Sequence, residues 1–440
     1  MALVKTSKGL AVLLATAGSG GTIAAVRELG KKRHSVAVIA SRAFSASSWS
    51  NFATRSYLAP QEKESQLFLE RLLAIGASDP GQILLPTSDE TTWLYTVHAD
   101  ELKTFFRLYQ PSIETIRRIL DKDLLGESSL KAGISILPSW SPSGINDVVE
   151  LAESLPYPIL IKPRTHVHRI RDDKGVVVYS ARELIDQYQK VINRESFRSA
   201  DSSPISTPGL PLLQQFVEVR HEGVISVTGF IDPSAELFVT RCSTKIFQRL
   251  GPVGVGTCFE SLPPIPSLSE SVRRLCMELR YFGIFEAEFI RFNNDWALID
   301  FNPRLFNQIA MDVRRGMPLP LMACLGAAGQ TSELRDAVAH AQIAEDLPTV
   351  FCDSFTLRAI LLAKTLSFRS SPEERTHWRD WRRKHAAHIV DFAFDRRDPM
   401  PGLIHALSET YLGMKSIRRF LRDTPWTLSK KNKLSMPEDV

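Results

Sequence analysis

Residues 285–304 read FEAEFIRFNNDWALIDFNPR, and this stretch decides the fold. FEAEFIRF and WALIDFNP each alternate with the period of a β-strand, so every second side chain shares a face. Asn293, Asn294 and Asp295 lie between them as a turn-forming cluster. A hairpin symmetric about Asn294 sets Glu288 opposite Asp300 and Glu286 opposite Asn302 on one surface. A bulge would shift that register. Like charges directly opposite each other destabilise a sheet. The arrangement therefore calls for a cation, and hard oxygen ligands of this kind suit Mg²⁺ shared with substrate phosphates. The plainer alternative is a strand face whose carboxylates meet water.

The chain has 440 residues, room for two or three domains with their own cores. At 44% hydrophobic and 23% charged, its composition is that of an ordinary soluble protein. No apolar run approaches the ~20 residues of a membrane span. LAVLLATAG near the start runs into a Gly-rich turn and reads as a buried strand rather than a signal peptide. Cys242, Cys258, Cys276, Cys324 and Cys352 are odd in number and lack CxxC spacing. They argue against a zinc site or disulfide framework and for a reducing cytoplasm. The formal charge of +5 is mild, and much of the local excess lies in RTHWRDWRRKH at 375–385. That run reads as a solvated helix face in preference to a nucleic-acid contact.

Along the chain, GLAVLLAT, AGSGG, TIAAVRELGKKRH and SVAVIAS form a strand–turn–helix–strand unit. The GSGG turn at 18–21 lacks the G-x-G-x-x-G spacing, and no acidic residue ends the second strand. It is read as structural or as a substrate contact. QLFLERLLAIGA is helical, and QILLPTSDE is a strand with a polar loop at its carboxyl end. There Thr87, Ser88, Asp89 and Glu90 either touch substrate or cap a helix. A helical segment covers 112–132, and YPILIKPR is an apolar strand carrying Lys162, whose burial requires a partner. VVVYSARELIDQYQKVI reads as strand then helix, and LLQQFVEV, GVISVTGFID and ELFVTRCSTKIFQR as strands. GPVGVGT follows as a Gly-rich stretch, and SESVRRLCMELRYFG as an amphipathic helix. Beyond about 365 little strand signal remains, and 370–440 look helical with a break at DPMP, 398–401.

Taken together and in order, YPILIKP, LLQQFVE, GIFEAEFI and LIDFNPR resemble the ATP-grasp superfamily. Among its branches the chain is most similar to carboxylate–amine ligases of the D-aspartate ligase kind. The resemblance covers roughly residues 1–330. It implies an α/β (α+β) protein: a Rossmann-like α/β domain at 1–120, then the ATP-grasp fold at 121–330. A lid subdomain would lie at about 155–215, and a mainly helical C-terminal extension at 331–440.

Carried over by position, the resemblance implies that Lys162 holds the α- and β-phosphates of ATP and that Lys122 also reaches the nucleotide. Gln214, Gln215, Phe216 and Val217 would form the hinge strand beside adenine. Glu288, Asp300 and Asn302 would bind two Mg²⁺ ions, with Mn²⁺ as a substitute. Arg304 would steady the transferred phosphoryl group or the substrate carboxylate, and Lys245 would serve the acyl-phosphate site. Glu286 would support the site without binding metal. Bland readings stand beside these: Lys122 paired on a helix surface with Asp121 or Asp123, and Arg304 paired with Asp300. Three departures stand out. Asp300 replaces the usual Glu, LFNQ follows LIDFNPR where small residues are common, and RTHVHRIRDDKG replaces a Gly-rich lid loop. Arg164, His166, His168, Arg169 and Arg171 of that loop either cover phosphate or face solvent.

The implied activity is ATP-dependent activation of a small carboxylate, such as an amino acid, as an acyl phosphate. An amine then displaces phosphate to give an amide. The implied partners are small-molecule carboxylate and amine, not membrane or nucleic acid, in a cytoplasmic enzyme for which a homodimer is open. The alternatives are another ATP-grasp acceptor (thiol, bicarbonate-derived or phosphoryl) or a non-catalytic nucleotide- or RNA-binding module. Retention of Lys162, Glu288, Asp300 and Asn302 together argues against the module.

Overall fold

The computed structural model describes residues 9–169, 174–194, 210–218, 223–249, 254–367 and 370–423. The first apolar run becomes the strand Ala11–Leu14, at the centre of a five-stranded parallel sheet. Its neighbours are Ser35–Ala40, then Arg55–Leu58 on one side, and Gln82–Leu85, then Phe106–Leu108 on the other. Central strands covered on both faces read as continuous apolar runs, as AVLL and QILL do. The Gly-rich turn leads into helix Gly20–Lys31, capped by Ser19. A Cβ on Gly20 or Gly21 would strike the carbonyl oxygens of Asn307 and Phe306. Those glycines therefore serve a close backbone approach to the 306–307 segment, in line with a structural turn.

Among the described residues two further sheets follow. A four-stranded antiparallel sheet runs Ser139–Trp140, Leu212–Gln215, Ile159–Lys162, Val176–Val178. An eight-stranded sheet runs Ile389–Asp391, Val350–Cys352, Val255–Leu262, Phe238–Arg249, Val224–Ile231, Gly283–Phe292, Asp295–Asn302, Ser135–Ile136. The segment read as one helix over 112–132 is two, Ile113–Leu120 and Lys122–Lys131. Asp121 breaks them: its backbone is extended, and its side chain caps the second helix by accepting from the Asp123 amide.

The hairpin pairs Glu286 with Asn302 and Glu288 with Asp300. The symmetric turn was wrong in detail, however. Asn293 and Asn294 alone form it, both at positive φ (47° and 66°), the two-residue type I′ geometry. Near the turn Phe289 faces Leu298, and the extra residue is taken up at Ile299 before Asp300. This bulge restores the register expected at the carboxylates.

The C-terminal region departs further from expectation. GPVGVGT was read as Gly-rich punctuation, but strand Val255–Leu262 begins within it. Val350–Cys352 extends that sheet, and Ile389–Asp391, well beyond 365, forms its edge. Helix Thr331–Ile343 contributes Leu334, Val338 and Ala341 to the core that also contains Val12, Val38 and Phe306. The DPMP break holds a fully buried Asp398 that accepts from Arg27 of the first helix at 2.9 Å. Described residues beyond 331 thus contribute to the first domain's core, to the eight-stranded sheet and to a buried ion pair with the first helix.

Candidate functional site

A cleft of about 590 Å³ lies between the four-stranded sheet and the open face of the eight-stranded one. Alternation puts Glu288 and Asp300 on that face, and each already holds an ammonium group. Lys245 lies 2.8 Å from Glu288, and Lys122 lies 2.6 Å from Asp300. The cation called for between opposed carboxylates is thus supplied here by two lysines. Burial opposes the charged form of Asp300, but Lys122, Lys174 and Lys162 outweigh it and hold its carboxyl well below the usual range. Burial likewise opposes charge on Lys122 and Lys245, and Asp300 and Glu288 respectively raise them above the ordinary lysine value.

Lys122 is therefore no surface pair with its neighbours. Asp121 and Asp123 are occupied instead by Arg164, at 2.8 Å and 3.4 Å. The amide of Lys122 also donates to the Arg164 carbonyl at 3.1 Å, which ties the start of its helix to the loop after Lys162.

Lys162 ends the apolar strand Ile159–Lys162 and points into the cleft. Its ammonium donates to Gln214 Oε1 at 3.2 Å and to the Ile299 carbonyl at 3.3 Å. A bulge disrupts ladder pairing, and this one leaves the Ile299 carbonyl available to Lys162. Burial and the nearby Lys122 push Lys162 down to about 7. Its hydrogen-bond acceptors among the described residues are neutral, and Asp300 and Glu288 offset only part of the downward push, so an entering anion would favour its charged form. Gln214 is fixed in turn by donating to Ser139 at 3.0 Å. The strand seen in LLQQFVEV stops at Gln215, and Gln215, Phe216 and Val217 continue along the cleft wall. Leu137, Leu160, Val224 and Ile290 supply the apolar part of the lining near them.

Arg304 and Asn302 do not line this cleft, and Arg304 does not pair with Asp300. Its Nε donates to Asp89 at 2.8 Å, Nη2 to Asn302 Oδ1 at 3.0 Å and Nη1 to the Leu305 carbonyl at 3.2 Å. Ser88 is the helix cap of the TSDE loop, Asp89 holds Arg304, and Glu90 takes His168 at 3.2 Å. Asn302 Nδ2 donates to Glu286 Oε2 at 3.0 Å, and Ser226 and Gln308 also donate to Glu286. Burial and Glu288 push Glu286 up to about 7. It braces the hairpin end and does not line the cleft.

Of the basic loop, Arg164 pairs with Asp121, His168 with Glu90, and His166 lines the cleft. Burial, Lys174 and Lys122 hold His166 well below the ordinary histidine value. Arg171 lies outside the described residues. Sequence reading did not single out Ser139, Gln308 or Lys174, or Asp89 as the partner of Arg304. The Asp89–Arg304 contact spans 215 positions, which no local pattern carries.

Among the described residues no three His, Cys, Asp or Glu side chains cluster to hold a metal by themselves. The donors on offer in the cleft are Glu288 and Asp300; the Asn302 oxygen lies outside its lining and accepts from Arg304. Mg²⁺ is commonly bound by one or two carboxylates with the remaining positions filled by phosphate and water, so this set fits.

No family model matches the chain. It is 22% identical over 235 residues to the C-terminal section of the carbamoyl phosphate synthase large chain of Aquifex aeolicus, covering 50% of this chain and 38% of that one. It is 25% identical over 242 residues to the carbamoyl phosphate synthase large chain of Thermomicrobium roseum, covering 51% and 20%. The chain thus spans well under half the length of these curated relatives. Among solved structures, L-amino acid ligase from Bacillus licheniformis superposes with TM-score 0.58 at 12% identity, over 78% of this chain and 79% of that one. A biotin carboxylase–ATP-analogue complex from Campylobacter jejuni gives 0.57 at 17%, over 73% and 72%. N5-carboxyaminoimidazole synthetase from Staphylococcus aureus complexed with ADP gives 0.54 at 14%, over 72% and 78%.

Proposed function

We propose that this chain, built on the ATP-grasp fold of those structures, is an ATP-dependent ligase that forms an amide or related C–N bond. The observation that carries the reading is the buried Lys162, hydrogen-bonded among the described residues to neutral acceptors, across one cleft from the Glu288–Asp300 pair. A carboxylate does not react with an amine at neutral pH, because its leaving group is too poor. Moving the γ-phosphoryl of ATP onto it creates a good leaving group, at the cost of bringing two anions together. Lys162, Lys122 and Lys245 in the cleft would neutralise that charge, and Arg304, held by Asp89 and Asn302 just outside the cleft lining, would reach in to position the reacting group. Mg²⁺ held by Glu288, Asp300 and Asn302 would supply Lewis-acid stabilisation of the phosphates. Gln214 to Val217 would flank the base. The amine then attacks the acyl carbon and phosphate leaves.

Within this reading residues 1–120, 121–330 and 331–440 are the pre-ATP-grasp, ATP-grasp and C-terminal parts, with the lid at about 155–215. Two metal ions, small-molecule carboxylate and amine substrates and a homodimer belong to the same proposal. The names of the biotin carboxylase and N5-carboxyaminoimidazole synthetase structures favour carboxylation as the alternative within the same fold. The test is nucleotide product analysis with pools of amino acids and small amines. ADP and phosphate appearing only with particular substrates supports ligation. AMP and pyrophosphate would contradict the acyl-phosphate route.

A further inference from the structure

One wall of the nucleotide cleft comes from the C-terminal region. Lys364, in the last turn of helix Ser354–Leu366, lines the cleft beside Phe247, Gln248 and Gly254. Its ammonium lies 2.7 Å from Glu374, in the first turn of helix Pro372–His385. On the same helix Trp378 packs edge-on against Phe247, with ring centroids 5.0 Å apart. The two helices are thus seated on the outer end of strand Phe238–Arg249 and present a cation to the cavity.

The strand gives the position along the cleft. Lys245 reaches Glu288, at the level of the carboxylates. The strand register shifts between Lys245 and Gln248, and residues 245–248 border the cavity while Ile246 and Phe247 pack against the Trp378 cluster. Two residues of strand advance about 7 Å from Lys245, away from the Arg304 end. In the pose proposed above, with the phosphates at Lys162 and the base beside Leu160, Val224 and Ile290, the ribose would face this stretch of the wall. The chemistry of the pair fits a sugar better than a phosphate. Lys364 and Glu374 together carry no net charge, and the carboxylate would repel an anion.

We infer that Lys364, oriented by Glu374, binds the ribose hydroxyls of the nucleotide, so that the C-terminal region completes the nucleotide site. The inference rests on the ATP reading above. The plain alternative is an ion pair that joins the end of one helix to the start of the next, where both charges suit the helix dipoles.

The test is calorimetric titration of Mg·ADP and Mg·2′,3′-dideoxy-ADP into the wild type, Lys364→Met, Lys364→Gln and Lys162→Met. One lost hydrogen bond to a charged group corresponds to roughly a tenfold loss of affinity. The wild type should bind the dideoxy nucleotide about tenfold more weakly than ADP. In both Lys364 variants that penalty should shrink to about twofold or less, because ADP binding falls and dideoxy binding does not. An unchanged tenfold penalty in the Lys364 variants overturns the inference, whatever their melting temperatures do. If ADP binds the wild type and not Lys162→Met, that result leaves the ATP reading intact. If neither nucleotide binds the wild type, the ATP reading falls and takes the inference with it.

Discussion

Replacing Asp398 by Ala should destabilise the protein by about 3 kcal/mol, although it lies far from the cleft. Asp398 is fully buried and Arg27 is 8% exposed. The carboxylate accepts from Arg27 Nε at 2.9 Å, Ser50 Oγ at 2.7 Å and the Asn51 amide at 2.8 Å. Breaking a buried pair by removing one partner costs about 3–5 kcal/mol, because the other charge is left uncompensated. Arg27 keeps two acceptors, the carbonyls of Ala393 and Asp398 at 2.6 Å and 2.9 Å, which places the loss at the low end. At roughly 2–4 °C per kcal/mol, the melting temperature should fall by about 6–12 °C. Urea unfolding of the wild type, Asp398→Ala and the double variant Arg27→Met/Asp398→Ala measures it, and the double variant should recover much of the loss. A loss below about 1 kcal/mol in Asp398→Ala would refute the reasoning and return residues beyond 331 to the status of an appendage.

Glu28→Gln should stabilise the protein at alkaline pH. Burial pushes Glu28 from its ordinary 4.5 to about 7, with Lys32 offsetting only part of this. A raised acid pKa makes the folded state bind the extra proton, so stability falls as pH rises between about 4.5 and 7. The variant should gain about 2–3 kcal/mol at pH 8 and nothing at pH 4, read from paired thermal melts. Lys162→Met should abolish turnover without lowering the melting temperature of the ligand-free protein, since it removes a desolvated amine hydrogen-bonded, among the described residues, to neutral acceptors. Arg304→Lys should cut turnover by about a hundredfold or more, because an ammonium cannot serve Asp89, Asn302 and the Leu305 carbonyl in one plane. Steady-state kinetics with circular dichroism as a fold control checks both.

The hairpin was legible because alternation fixes which side chains share a face, and two asparagines mark the turn. Its bulge was not, since an extra residue at Ile299 leaves no mark in a pattern of apolar residues. The order of Lys162, the hinge and the hairpin carried the fold. Strand Val255–Leu262 was hidden by its glycines, which depress strand propensity. Val350–Cys352 and Ile389–Asp391 are three residues each, too short to show a period of two. Lys122 illustrates the limit within the site. Two aspartates flank it in sequence, but Arg164 takes both and leaves Lys122 to Asp300, 178 positions away. Partner choice of that kind depends on which loops meet, and helix 122–131 meets the loop after Lys162 only in three dimensions.

The measurement that tests the central claim most directly follows an oxygen atom. Once product analysis has supplied an acid substrate, its carboxylate is labelled with ¹⁸O and turned over with Mg·ATP and the amine. Passage through an acyl phosphate transfers one labelled oxygen to inorganic phosphate, and the account requires that label there. Label recovered in AMP, or phosphate free of label while amide accumulates, would contradict it.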